Sequence, residues 1–207
     1  MRKTKVNTEI SKLRILLAAE EEFCQRGFVA ANIDSIAKAA GLTKGAIFWH
    51  FKSKADLFKE IIKRATGRMK DIFQEGFSSS QPIPIMEKCR EVIKRVKKDK
   101  AFLVLLVLAD TEKNKNMPAD VLHECQKEIT KIFEDSIQTF SEAKKRGELR
   151  ADTDIRNVVV AITLIMIGFA KITDFGNMIT PISGHIDDEY IIDAMFDGLL
   201  SFQKNGK

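Results

Sequence analysis

Residues Ile33–Lys54 read Ile-Asp-Ser-Ile-Ala-Lys-Ala-Ala-Gly-Leu-Thr-Lys-Gly-Ala-Ile-Phe-Trp-His-Phe-Lys-Ser-Lys. Ile33, Ile36, Ala37 and Ala40 recur at helical spacing, and Asn32 just before them is an N-cap residue type. Gly41 stops that helix, because a tight turn there needs a positive φ. Thr43 caps a second helix of barely two turns, Lys44 to His50. Three positions set the packing. Ala37 must be small where the two helices cross, Gly41 makes the turn, and Ile47 plugs the second helix onto the first. In register with both caps, they predict a helix-turn-helix over Ile33–His50.

The surface chemistry of the second helix points to DNA. Thr43, Lys44 and Gly45 occupy its N-terminus, the end that enters the major groove in such units. Thr43 can cap its own helix or donate to a phosphate. Lys44 can reach a guanine edge or a phosphate. Gly45 lets the backbone approach the bases. Phe48, Trp49, His50, Lys52 and Lys54 follow as an aromatic and basic cluster suited to backbone phosphates, which position a protein without specifying sequence. Phe51 is expected in the core, and Trp49 divides between surface and core.

The wider chain reads as all-α, with about nine helices. The first runs from about Asn7 to Arg26, with Ile10, Leu13, Leu16, Leu17, Ala19, Glu20 and Phe23 marking its rhythm and Gly27 closing it in the left-handed conformation. A long helix begins near Ser53. A Gly, Ser and Pro-rich loop covers residues 76–84, and further helices are expected at about 84–99, 101–115, 118–146, 153–175 and 187–203. Charge is uneven along the chain. Residues 1–70 hold 15 Lys and Arg against 7 Asp and Glu, whereas residues 71–207 hold 19 against 22. A basic head on a mildly acidic body fits a polyanion partner.

The stretch Gly41–Lys54 with the following Ala-Asp-Leu-Phe58 resembles the TetR/AcrR family of bacterial regulators. Asn32-Ile-Asp-Ser-Ile-Ala37 is similar to that family's Thr/Ser-x-x-x-Ile-Ala motif. The match is dense over residues 10–62; beyond it only the helix layout and Gly147–Asp154 are similar. The resemblance implies an N-terminal three-helix DNA-binding domain, 1–53, and a larger helical ligand-binding and dimerisation domain, 54–207. It places Asn32, Thr43, Lys44, Gly45, Phe48, His50 and Lys54 on DNA. Phe48 stands where tyrosine is frequent, so a phosphate-bonding hydroxyl is missing. Asp34 stands where some members carry a basic residue, and is not counted as a contact.

Two apolar helices follow, about 153–175 and 187–203. A helix without a polar face is buried on two sides. Small residues at close-approach spacing suggest a dimer seam built from Ala161, Ile165, Gly168, Ile191, Ala194, Met195 and Gly198, with a fully internal core as the rival reading. A two-fold dimer would set two recognition helices one DNA turn apart, on a palindromic double-stranded operator. Phe73, Phe77, Met86, Cys89, Phe102, Leu106, Phe133, Ile137, Met166 and Phe169 are candidate walls of a pocket for a small apolar ligand, or plain core.

Other functions find little support. No glycine-rich phosphate loop, nucleophile with base or metal triad is visible, and the Glu20-Glu21-Glu22 run reads as an outer helix face. No cofactor or metal is expected; His123 and Cys125 lack further ligands. The basic run Lys88–Lys100 reads as a solvated face. Three scattered cysteines, Cys24, Cys89 and Cys125, no apolar leader and no run long enough to span a bilayer suggest a cytoplasmic protein without a membrane partner. The expected function is a ligand-released repressor, with a ligand-independent regulator or an activator as the alternative.

Overall fold

The computed structural model describes residues 2–77, 83–99, 102, 104–105, 115–168 and 190–194, and these are helical with short connections and contain no strand. The helices are α1 (Arg2–Ala30), α2 (Ile33–Ala40), α3 (Lys44–His50), α4 (Lys54–Phe77), α5 (Ile85–Lys98), α6 (Ala119–Lys145) and α7 (155–168). Residues 190–194 are helical as well. The described residues fall into two compact units. One is drawn from Met1–Gly67 and Ala101–Thr130, the other from Arg68–Lys100 and Lys131–Lys207.

In the first unit α1 packs on α2 and α3, and α2 on α3. Its buried face carries Ile15, Leu16, Ala19, Glu20 and Phe23. Ile10, Leu13 and Leu17, expected to share that face, are 51%, 46% and 57% exposed. At 100° per residue they form a separate stripe, so α1 has two apolar sides, of which one is buried among the described residues. Glu20 departs from the expectation of an outer acidic face: it is buried, Glu22 is half-buried and Glu21 exposed. Gly27 has φ 71° and ψ 175°. The sign of φ is as expected, but ψ is extended, a region that is essentially glycine's alone. The chain therefore bends sharply and makes one more helical turn. That turn delivers Phe28 to the core, where its ring lies 5.1 Å from Phe58 and Phe23 meets Phe58 edge-on at 4.8 Å.

α4 starts with a reciprocal cap. The Ser53 hydroxyl accepts the Asp56 N–H, and the Asp56 carboxylate accepts the Lys52 N–H, both at 3.0 Å. Leu57, Phe58, Ile61, Ile62 and Ala65 then point into the first unit's core.

In the second unit Phe77 stacks on Phe73 at 6.0 Å and meets Phe140 edge-on at 5.9 Å. Ile85, Cys89, Val92, Ile93, Val96, Ala143, Val159 and Ile192 are buried in this unit. The run Lys88–Lys100 is not simply a solvated face. Lys88 is buried and donates to the Phe77 carbonyl at 3.4 Å, while Arg90 and Lys94 converge on Asp193 at 3.5 and 3.0 Å. An orphan carbonyl at the end of α4 and an acid on residues 190–194 draw these cations inward.

Candidate nucleic-acid interface

The turn between α2 and α3 is built from the residues that predicted it. Asn32 sits in extended conformation, and its side-chain oxygen accepts the Asp34 N–H at 2.7 Å. The Asn32 N–H is itself held by the Glu22 carboxylate at 3.0 Å. At the other end Gly41 adopts φ 63° and ψ 39°. Its N–H reaches the Lys38 carbonyl at 3.0 Å, and the Leu42 N–H reaches that of Ala37 at 2.9 Å. This pair of bonds satisfies two carbonyls that a helix end would leave orphaned. Ile36, Ala37 and Ala40 on α2 and Ile47 on α3 are all at most 5% exposed. Burying side chains of the isoleucine class stabilises by about 1.5–3 kcal/mol each, so the geometry of α3 follows from apolar packing plus two caps.

With the scaffold turned inward, the outward face of α3 is exposed. The Thr43 oxygen accepts the Ala46 N–H at 3.2 Å. That cap uses a lone pair, so the hydroxyl proton remains a donor for a phosphate, and both expected roles coexist. Gly45 is exposed, and a methyl group built on it would meet only the Thr43 hydroxyl at 3.8 Å. Internal packing therefore does not require a glycine there. Phe48 is 45% and Trp49 70% exposed. Trp49 thus belongs to the surface, with its ring edge-on to His50 at 4.7 Å. Lys44 and Lys52 are exposed, and the Lys44 ammonium is paired with Asp34 at 3.0 Å.

Two of the expected DNA-facing residues turn inward. The Lys54 ammonium donates to the Val29 and Ala31 carbonyls at 3.0 and 3.1 Å and lies 4.9 Å from the centre of the Phe28 ring. Burial lowers its pKa from the ordinary lysine value. It staples the bend after Gly27 to the first turn of α4. His50 Nε2 lies 2.7 Å from the Ser11 hydroxyl oxygen. Ser11 has one proton and gives it to the Thr8 carbonyl at 2.8 Å, so His50 is the donor in this pair. Burial and then the nearby Lys12 lower the His50 pKa below 6.5, against a smaller opposing effect of Glu9. With Nε2 donating to Ser11 in the neutral ring, Nδ1 is left as an acceptor, and burial and Lys12 disfavour the charged form. Ser11, Glu22 and Asp34, which hold His50, Asn32 and Lys44, were invisible in the sequence because each acts across ten residues or more.

Of the candidate ligand residues, Phe73 and Phe77 line a half-open cleft of about 300 Å³ in the second unit, with Ile85 and Ile132. The rest of its wall is polar: Lys70, Gln74, Asp135, Ser136, Gln138, Thr139, Glu142 and Arg146. Lys70 and Asp135 form an ion pair at 2.8 Å. Met86, Cys89 and Met166 are buried and do not reach this cleft, Phe133 and Ile137 are half-buried away from it, and Phe102 is buried in the first unit. Leu106 and Phe169 lie outside the described residues. Burial raises the Cys125 thiol to about 11 and pushes Cys89 higher, so neither forms a thiolate near neutral pH.

On α7, Val159, Ile162 and Met166 are buried, whereas Val160 is 48% and Leu164 63% exposed. Ala161 and Gly168 are also exposed, Ile165 is half-buried, and in residues 190–194 Ile191 is half-buried and Ala194 exposed. Among the described residues, one side of this apolar helix is buried and the other exposed. Met195 and Gly198 lie outside the described residues. Among the described residues no group of three or more His, Cys, Asp or Glu side chains could hold a metal ion, and no helix is long and apolar enough to cross a membrane.

The profile of the family described as "Bacterial regulatory proteins, tetR family" matches residues 15–61. The chain is 29% identical over 175 residues to the transcriptional repressor BepR of Brucella suis, spanning 81% of this chain and 82% of that one. It is 31% identical over 125 residues to the transcriptional regulator AcrR of Shigella flexneri, spanning 60% of this chain and about half, 54%, of that relative. The regulator FadR of Bacillus subtilis, solved in complex with stearoyl-CoA, superposes with a TM-score of 0.69 at 16% identity, covering 91% of this chain and 97% of that one. At that identity the likeness concerns the fold alone.

Proposed function

Because the chain belongs to the TetR family of bacterial transcription regulators, we propose that it is a dimeric repressor of a palindromic operator, released by a small molecule. One observation carries the reading: α3 is anchored by its buried side, while Thr43, Lys44, Gly45, Phe48, Trp49 and Lys52 lie together on the exposed side. Thr43, Lys44 and Gly45 enter the major groove, Lys52 and the Asn32 amide serve the backbone, and Phe48 and Trp49 pack against the sugar-phosphate edge. Residues 1–53 are the DNA-reading domain and 54–207 the ligand-binding and dimerisation domain. The exposed Val160, Ala161, Leu164 and Gly168 stripe supports a seam against a second copy, which would set the two α3 helices about 34–36 Å apart.

The effector enters the cleft beside Phe73 and Phe77. Its polar wall favours a molecule with an apolar body and hydrogen-bonding groups over the purely apolar ligand expected from the sequence. FadR with stearoyl-CoA is a ligand-bound protein of the same fold. A ligand releases DNA only if it binds the non-DNA conformation more tightly.

Selection of duplexes from the source genome by the full-length protein tests the reading. It should return a two-fold site whose binding weakens steeply with salt. Thr43→Ala with Lys44→Ala should cost each half-site on the order of 1–3 kcal/mol per lost contact, while the dimer persists. No salt-sensitive site, or undiminished binding by the double variant, would refute it. A ligand-independent regulator has the same head; an effector that displaces the selected duplex excludes it.

A further inference from the structure

We propose that Asp34 is a positioning and specificity residue of the DNA-reading surface: by holding the Lys44 ammonium it suppresses attachment to the phosphate backbone and reserves Lys44 for a base edge. The inference rests on the DNA-reading assignment of α2 and α3. Asp34 Oδ2 lies 3.0 Å from Lys44 Nζ, joining the first turn of α2 to the first residue of α3. The Asp34 N–H is fastened to the Asn32 side chain at 2.7 Å, so the carboxylate swings from a fixed backbone. The two side chains are 62% and 54% exposed. An ion pair in that setting contributes little to folding; the carboxylate also meets the positive end of the α2 dipole, worth about 0.3–1 kcal/mol, but that effect needs no contact with Lys44.

Its position is unfavourable for binding DNA in general. Residues 1–70 carry 15 basic against 7 acidic residues, yet this acid stands beside the lysine at the head of the recognition helix. Each phosphate neutralised by a lysine adds about 0.9 to the slope of log affinity against log salt. A lysine already neutralised by Asp34 forfeits that gain unless the pair opens. A base edge is different. The ammonium has three donors, and with one on Asp34 two remain for the N7 and O6 acceptors of a guanine. A guanine edge is neutral and sits beside the Asp34 carboxylate without repulsion, whereas an anionic phosphate brought to the same ammonium is repelled by that carboxylate. Discrimination comes from disfavouring the wrong complex.

The test uses the full-length wild type, Asp34→Asn, Lys44→Met and the double variant. Each is titrated by fluorescence anisotropy, over a salt series, onto a mixed-sequence duplex and onto a duplex that the wild type has enriched from a random pool. Asp34→Asn should bind the mixed duplex several-fold tighter, with a salt slope steeper by about 1.8 for the dimer, about 0.9 from each of its two Lys44 side chains. Its affinity for the enriched duplex should change much less, so the ratio of the two falls. In the Lys44→Met background the same substitution should leave the slope unaltered, and Asp34→Glu should restore the ratio. The proposal is overturned if Asp34→Asn leaves the ratio unchanged, weakens both duplexes alike, or steepens the slope equally without Lys44. Asp34→Ser carries the same test should Asp34→Asn lose its helical circular dichroism. A wild type that binds neither duplex would refute the DNA-reading assignment instead.

Discussion

In the Gly41→Ala variant the chain must hold an L-residue at φ 63° and ψ 39° or shift the crossing of α2 and α3. Holding an L-residue in left-handed space costs roughly 1–2 kcal/mol. The smaller conformational freedom of alanine in the unfolded chain offsets about 0.4–1 kcal/mol of that. The new methyl group would sit 2.5 Å from a guanidinium nitrogen of Arg14. That atom is the far end of an exposed, flexible side chain, so it swings away at little cost. The net loss is about 1 kcal/mol, or roughly 2–4 °C in melting temperature for a chain of this size. Asparagine tolerates the left-handed region, so Gly41→Asn should lose less than alanine. Valine is branched at Cβ, and Gly41→Val should lose more. Urea titrations followed by far-UV circular dichroism give the order directly, and affinity for the selected duplex should fall in the same order. An alanine variant as stable as the wild type, or an asparagine variant less stable than alanine, would refute the argument that the turn depends on left-handed geometry at Gly41.

Lys54→Gln should lower stability by about 1 kcal/mol, since hydrogen bonds from charged groups are worth more than neutral ones but this ammonium is partly solvated. The salt slope of DNA binding should not change, whereas a fall of about 1.8 for the dimer, about 0.9 per copy, would place Lys54 on a phosphate. The lowered pKa of His50 means that the unfolded chain binds its proton more readily. Its contribution to stability is therefore complete above the ordinary value of 6.5 and lost as pH falls through the lower folded value. His50→Gln should flatten the stability profile across that interval, and an unchanged profile would show that burial and Lys12 do not bias the ring. Leu164→Arg should convert a dimer to a monomer by sedimentation while keeping its helical content; a variant that stays dimeric would put the seam elsewhere.

How much of the site was legible depended on the range over which each residue acts. Asn32, Gly41, Thr43 and Ser53 act on backbone atoms within five positions, and their roles followed from residue type and spacing. Ile36, Ala37, Ala40 and Ile47 repeat at the helical period and were readable for the same reason. Lys54 and His50 look like surface cations in a basic stretch. Whether such a side chain meets water or a carbonyl is decided by residues 23 to 39 positions away. The stripe Ile10, Leu13 and Leu17 was misplaced because periodicity counts apolar positions and does not say which of two apolar sides is covered. Apolarity alone marks a ligand candidate in the sequence, and apolarity does not separate a pocket wall from a core.

By itself, then, the sequence determined the helix-turn-helix: caps, a left-handed glycine and a period of 3.6 are local properties that need no partner elsewhere in the chain. It also determined that the basic first third of the chain carries this unit. The tertiary structure alone decided which charges face outward. Lys54 is drawn onto the carbonyls left bare by the bend at Gly27, and His50 onto Ser11, while Lys44 is left outside, paired with Asp34. Orphan carbonyls and ion partners exist only once distant segments meet, and the same folding step that makes the recognition helix rigid also selects which of its cations remain for DNA.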